Sequence, residues 1–180
     1  MLRTAAALAA VLLLAGCIPG EPVITPEPDP DATPVFASDE EALAAATEAY
    51  AKYREVLDKI FIGGATDLSQ LENVATGDQL QTESDAFAEV NERGLHSSGG
   101  TTFEVQELQQ YDAGASDGKS IIIVYICENV SAVDVFDQSG ASIVSSTRPD
   151  TSLYEVTFDW ATKMNDLLVS HKELWSDQPC

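Results

Sequence analysis

The sequence predicts an α+β domain in which N-terminal helices pack on a curved antiparallel sheet. Three observations predict it. Apolar residues recur at helical spacing from Leu43 to Ile60. From Thr101 onward the period falls to two, most clearly where Tyr154, Val156, Phe158 and Trp160 alternate with Glu155, Thr157 and Asp159. Short turns separate the strand segments, so neighbouring strands must run antiparallel. One domain of roughly 140 residues, from Ser38 to Cys180, accommodates all of this.

Two segments precede that domain. Arg3 is the only charge before Glu21, and an apolar run follows it as far as Gly16, too short for the roughly 20 residues a membrane span needs. The run closes on Leu14-Ala15-Gly16-Cys17, which resembles a bacterial lipobox. On that resemblance residues 1–16 are a cleaved signal peptide, and Cys17 is the lipidation site, carrying a diacylglyceryl group that holds the protein on the extracytoplasmic face of the membrane. The competing reading is an ordinary secretory peptide with a chance cysteine. Residues 18–37 then hold Pro19, Pro22, Pro26, Pro28, Pro30 and Pro34, interleaved with Glu21, Glu27, Asp29 and Asp31. Such a segment favours polyproline II, at ~3.1 Å per residue, and reads with Cys17 as an acidic tether.

Within the domain, Ser38-Asp39-Glu40-Glu41 is a capping box, and Leu43, Ala46, Tyr50, Tyr53, Leu57 and Ile60 form one stripe ending before Gly63-Gly64. A helix packed on a sheet explains two tyrosines in that stripe better than a coiled coil does. Asp67 is placed to cap a short helix carrying Leu68, Leu71 and Val74. Thr76-Gly77-Asp78-Gln79 offers a second capping box for a helix ending near Arg93 and Gly94. His96 to Gly100 reads as a loop. Strands follow over Phe103–Tyr111 and Ile121–Val130, and the apolar run from Ile121 to Cys127 predicts a central strand covered on both faces. Val133–Phe136 and Ala141–Val144 flank a hairpin loop at Asp137-Gln138-Ser139-Gly140, and a last strand runs from Leu167 to Trp175.

Three cysteines are present. If Cys17 carries lipid, Cys127 and Cys180 remain as an even pair in an oxidising compartment, so a disulfide between them is expected, with two free thiols as the alternative. The arrangement of helices first, then an antiparallel meander containing Tyr125-Ile126-Cys127, then a final strand running into Trp175-Ser176-Asp177-Gln178-Pro179-Cys180, resembles secreted lipoproteins with an NTF2-like domain from high-GC Gram-positive bacteria. The resemblance covers Ser38 to Cys180. It implies an NTF2-like or cystatin-like cone with a cavity between sheet and helices, a fold that serves enzymes, ligand binders and interaction modules alike.

Charge narrows the partners. The chain has 9 basic and 30 acidic residues, and loss of Arg3 with the signal leaves a net charge of −22. Phosphate backbones and anionic headgroups repel such a chain, so nucleic acid is not an expected partner and the membrane is reached through the lipid alone. No phosphate loop, His-Glu-x-x-His, Gly-x-Ser-x-Gly or Cys-x-x-Cys occurs, and no cofactor or metal ligand set is recognisable. His96 falls in a glycine-serine loop, and His171 on the strand face that carries Val169, Glu173 and Trp175. Asp159 alternates away from its aromatic neighbours toward solvent. None makes a catalytic constellation, and Asn129-Val130-Ser131, a glycosylation-type triplet, reads as a turn. Two readings stand: a binding or interaction module at the cell envelope, for a protein or small ligand, or a small-molecule enzyme of isomerase or dehydratase type using the cavity.

Overall fold

A computed structural model describes residues 34–115, 117–176 and 180. Cys17 and most of the tether lie outside the described residues. The first helix, α1, spans Asp39–Ile62. The Ser38 hydroxyl accepts from the Glu41 N–H at 3.3 Å, and the Glu41 carboxylate accepts from the Ala37 N–H at 2.8 Å, one residue outside the cap. Asp39, Glu40 and Glu41 in the first turn and Lys59 in the last suit the helix dipole. Of the predicted stripe, Ala46, Tyr50, Tyr53, Leu57 and Ile60 are buried, joined by Ala42 and Ala49, while Leu43 is half-buried.

Packing begins two residues before the predicted domain boundary. Phe36 is buried, with its ring 5.9 Å from Tyr111 and 5.7 Å from Trp160, and its backbone N–H and C=O both bond the Tyr111 hydroxyl. The end of the segment read as tether therefore belongs to the core.

The helix expected after Asp67 is a single 3-10 turn, Leu71–Asn73. Asp67 accepts from the Ser69 N–H at 2.9 Å and makes a local turn instead of a cap. The next residues spend their backbone groups on the sheet: Val169 N–H donates to Val74 C=O and Thr76 N–H to Val169 C=O. Helix α2 follows over Gly77–Glu92. Its expected capping box does not form, because the Thr76 N–H that Gln79 would reach is already bonded to Val169 and the Gln79 amide turns into the core.

The strands are β1 His96–Ser98, β2 Thr102–Tyr111, β3 Ile122–Asn129, β4 Asp134–Phe136, β5 Thr151–Ala161 and β6 Asp166–Ser176. The main sheet has the order β2-β3-β5-β6, antiparallel throughout, with β3 inside as expected. β1 was expected as loop, but it pairs with β4, matching Ser97 to Val135. The Ala141–Val144 segment forms no strand; Ser142 makes one bridge to Phe136, and the Asp137 carboxylate closes the turn by accepting from the Ser139 and Ala141 N–H groups.

Expected cover on both faces of β3 is present on one. Ile122, Val124 and Ile126 are buried under the helices, while Ile123, Tyr125 and Cys127 are half-buried on the other face. That outer face carries the Tyr125–Trp175 ring contact at 5.0 Å and the Cys127–Cys180 disulfide, with Cα atoms 6.0 Å apart. Irregularities in the β5–β6 ladder shift its phase: Phe158 pairs with Val169 but Thr157 with His171, so Ser170 is bulged out. Lys172 thereby joins Val169 on the helix side and His171 moves to the outer side, correcting the sequence placement of His171 beside Val169.

Candidate functional site

Glu128 continues the phase of Ile122, Val124 and Ile126, so alternation carries its carboxylate to the buried face of β3. There it accepts from the Lys172 ammonium at 2.8 Å and from the Tyr50 hydroxyl at 2.7 Å, with Arg54 Nη1 at 3.3 Å. Arg54 lies one residue beyond Tyr53 on α1, at the border of the apolar stripe, and also pairs with Asp58 at 2.9 Å and Thr101 Oγ1 at 2.8 Å. A second arm runs beside the first: Tyr53 donates to Glu83, and the Gln79 amide donates to Tyr53 Oη at 3.0 Å and to Glu83 at 2.8 Å. Lys172 also sits 4.0 Å over the Tyr154 ring. Helices α1 and α2 and strands β3 and β6 thus meet in one polar network inside the domain.

Burial sets the protonation states. Desolvation would raise the Glu128 carboxyl, but Lys172 and Arg54 outweigh it and hold the group below the usual glutamate range. The Lys172 ammonium is pushed down, by desolvation first and by Arg54 second, against the pull of Glu128. Tyr50 and Tyr53 are pushed well above the ordinary tyrosine value, by burial first and then by Glu128 and Glu83 respectively. Arg54 loses some stabilisation to burial yet is raised by Glu128 and its other neighbours. Glu128 is therefore a fixed anion bonded on three sides, not a free base.

This network lies beside a cleft of about 400 Å³ between the helices and the β3–β4 region. Its apolar wall includes Leu57, Phe61, Phe87, Val90, Val133 and Val135, and its polar wall carries Arg54, Arg148, Lys172, Glu83 and Glu128. Arg148 donates to Val130 C=O and Val133 C=O, both at 2.8 Å. Gly99 helps shape this region: its φ is +75°, and a Cβ there would stand 1.9 Å from Ala132 C=O.

The residues weighed from sequence lie elsewhere. His96 is exposed, its ring 5.5 Å from Phe136. His171 is half-exposed, with Nε2 3.6 Å from Glu173. Asp159 does face away from the aromatics, but it is buried, not solvated: Lys119 Nζ donates to it at 2.7 Å and the Ser120 N–H at 2.9 Å. Asp159 and His171 share a shallow depression with Lys119 and Asp78. Asn129 closes a turn by accepting from the Ser131 N–H. Among the described residues no cluster of histidine, cysteine or carboxylate has metal-binding arrangement, and no helix is long and apolar enough to cross a membrane. The Glu128 network had a sequence signal, a glutamate in phase with three buried apolar residues; Lys172 had none, because a bulge puts it there.

Comparison with known proteins places the architecture and nothing narrower. The chain is similar in fold to the crystal structure of the intermembrane space region of the chloroplast protein ARC6, with a TM-score of 0.55 at 17% identity, covering 73% of this chain and 94% of that one. A solution NMR structure of a de novo β-sheet design aligns with a TM-score of only 0.30 at 15% identity over 71% of this chain and 84% of that one, too low to bear on the fold. No protein-family model and no curated protein matches the chain. What the geometry defines is an α+β domain with helices on one face of an antiparallel sheet and a half-polar cleft between them.

Proposed function

We propose that the protein is an extracytoplasmic lipoprotein, anchored to a membrane through a lipid on Cys17, whose domain is a binding module that takes a small ligand in the cleft beside Glu128. The anchor rests on Leu14-Ala15-Gly16-Cys17 and on the proline-rich, acidic segment behind it. The NTF2-like cone is the finer form of the fold, supported by two helices laid across one face of a bulged antiparallel sheet with a cleft between.

One observation carries binding over catalysis. The carboxylates and phenols beside the cleft are committed to one another, with Glu128 held by Lys172, Tyr50 and Arg54, and Glu83 by Tyr53 and Gln79. A general base needs a free lone pair directed at substrate. A floor of mutually bonded side chains under an apolar wall instead fixes the shape and orientation of something bound.

Two tests separate the parts. Cys17→Ala should abolish metabolic lipid labelling and release the protein from the membrane fraction or leave it unprocessed; labelling unchanged in the variant would refute the anchor. For the cleft, Ala86→Trp adds bulk at an exposed residue of α2 on the cleft rim. It should abolish small-molecule binding without loss of stability, and binding unaffected by it would place the ligand elsewhere.

A further inference from the structure

We propose that the cleft selects a small monoanion with an apolar body, a carboxylate bound by the Arg148 guanidinium with its hydrocarbon against Phe61, Phe87, Val90 and Val135. The proposal rests on the binding reading above and names the ligand class for the same cleft.

Donors and acceptors on the cleft wall do not balance. Of the three cations on the cleft wall, Lys172 has Glu128, and Arg54 has Glu128 and Asp58. Arg148 has no carboxylate partner among the described residues. Its Nη2 is spent on the carbonyls of Val130 and Val133, leaving Nε and Nη1 for something else. In a chain carrying 30 acidic residues against 9 basic ones, a half-buried guanidinium without a carboxylate stands out. Arg54 shows the same deficit of acceptors, since its Nε is shielded from solvent and bonds to nothing among the described residues.

Both guanidiniums are fastened at one end of the β2–β3 ladder. Thr102 pairs with Asn129, so Thr101, which Arg54 holds, and Val130, which Arg148 holds, are the residues just past that pair on adjacent strands. Most acceptors nearby are already used: Asp58 takes Arg54 and the Thr101 N–H, Glu128 takes three donors, and Glu83 takes Tyr53 and Gln79 on Oε1. An incoming cation would find only Oε2 of Glu83, whereas an incoming carboxylate finds the free Nη1–H groups of Arg148, which can hold one of its oxygens. One unpaired guanidinium suits one negative charge. The wall beside it is apolar, and a volume of about 400 Å³ lies at the small end of the range for ligand sites, ~300–1,000 Å³.

The test is an NMR titration of the full chain with octanoate, octanol and octylamine, each below its aggregation concentration, following backbone amide shifts. Octanoate should move amides of Phe87, Val90, Val130 and Val133 and bind at least tenfold more tightly than octanol, with octylamine weakest. Arg148→Gln should bring octanoate down to the octanol level, while Arg148→Lys keeps part of the preference. Should Arg148→Gln perturb folding, Ala86→Trp provides the second check, with octanoate shifts lost from an intact spectrum. Octanol or octylamine binding in the cleft as tightly as octanoate would overturn the anion selection and leave the binding reading standing. Failure of all three to move any cleft amide would overturn both.

Discussion

Glu128→Gln is the sharpest test of how the interior is held. The substitution keeps the side chain's shape and removes its charge. Lys172, with a side chain 12% exposed, would lose its ion-pair partner and keep the Tyr154 ring and the weaker pull of Glu83; Arg54 would keep Asp58. Stripping one partner from a buried ion pair costs ~3–5 kcal/mol, chiefly for the charge left behind. Because Arg54 has a second carboxylate, about 3 kcal/mol is expected, a large part of a domain's net stability and a fall in melting temperature of roughly 10 °C. The pH dependence gives an independent signature. Lys172 is already held below its ordinary value, and loss of Glu128 depresses it further. The unfolded chain then binds more protons than the folded one between the native Lys172 value and the ordinary lysine range, so stability of the variant rises with pH across that window. Urea denaturation at pH 7 and pH 9 reads both effects. A loss under about 1 kcal/mol at pH 7, or a variant no more stabilised by alkali than wild type, would refute the buried-pair account. In wild type, Glu128 acts at the other end of the scale: held below the usual glutamate value, its contribution is complete above about 4.3 and is lost as pH falls through the lower native value.

Other consequences follow from the same geometry. Tyr50 and Tyr53 are raised well above the ordinary value of about 10, so their contribution is intact below that pH and lost as pH rises toward the native values; urea midpoints should fall above pH 10, and Tyr50→Phe with Tyr53→Phe should flatten that fall. The Cys127–Cys180 bridge closes a separation of 53 residues, worth about 4 kcal/mol in the chain-entropy model. Paired Cys127→Ser and Cys180→Ser changes should therefore lower the urea midpoint, and two reactive thiols in the unreduced, denatured protein would contradict the bridge. Gly99→Ala forces a Cβ into Ala132 C=O at φ +75° and should cost about 2 kcal/mol; a neutral effect by thermal melting would show that the Ser98–Thr101 turn moves freely.

Much of the architecture was readable because it is repetitive. The α1 stripe through Tyr50, Tyr53, Leu57 and Ile60, and the alternation through Val156 and Phe158, are local patterns whose apolar faces have one place to go. Where the reading failed, a long-range contact had taken a group that local chemistry assigned elsewhere. Thr76 lost its capping box to Val169, and His96 to Ser98 became a strand because β4 lies beside it. The Ser170 bulge is the most instructive failure. It reversed the faces of His171 and Lys172, hiding the lysine of the buried network and drawing attention to a half-exposed histidine instead. Asp159 was placed on the correct face, yet its pairing with Lys119 across a turn carries no local signal.

Where small molecules bind on the domain tests the binding module most directly. An NMR screen of a diverse fragment set against the full chain should cluster its amide shifts at Phe87, Val90, Val130 and Val133 around the cleft. Shifts gathered on the outer sheet face, around Tyr125 and Trp175, with the cleft amides silent, would contradict it.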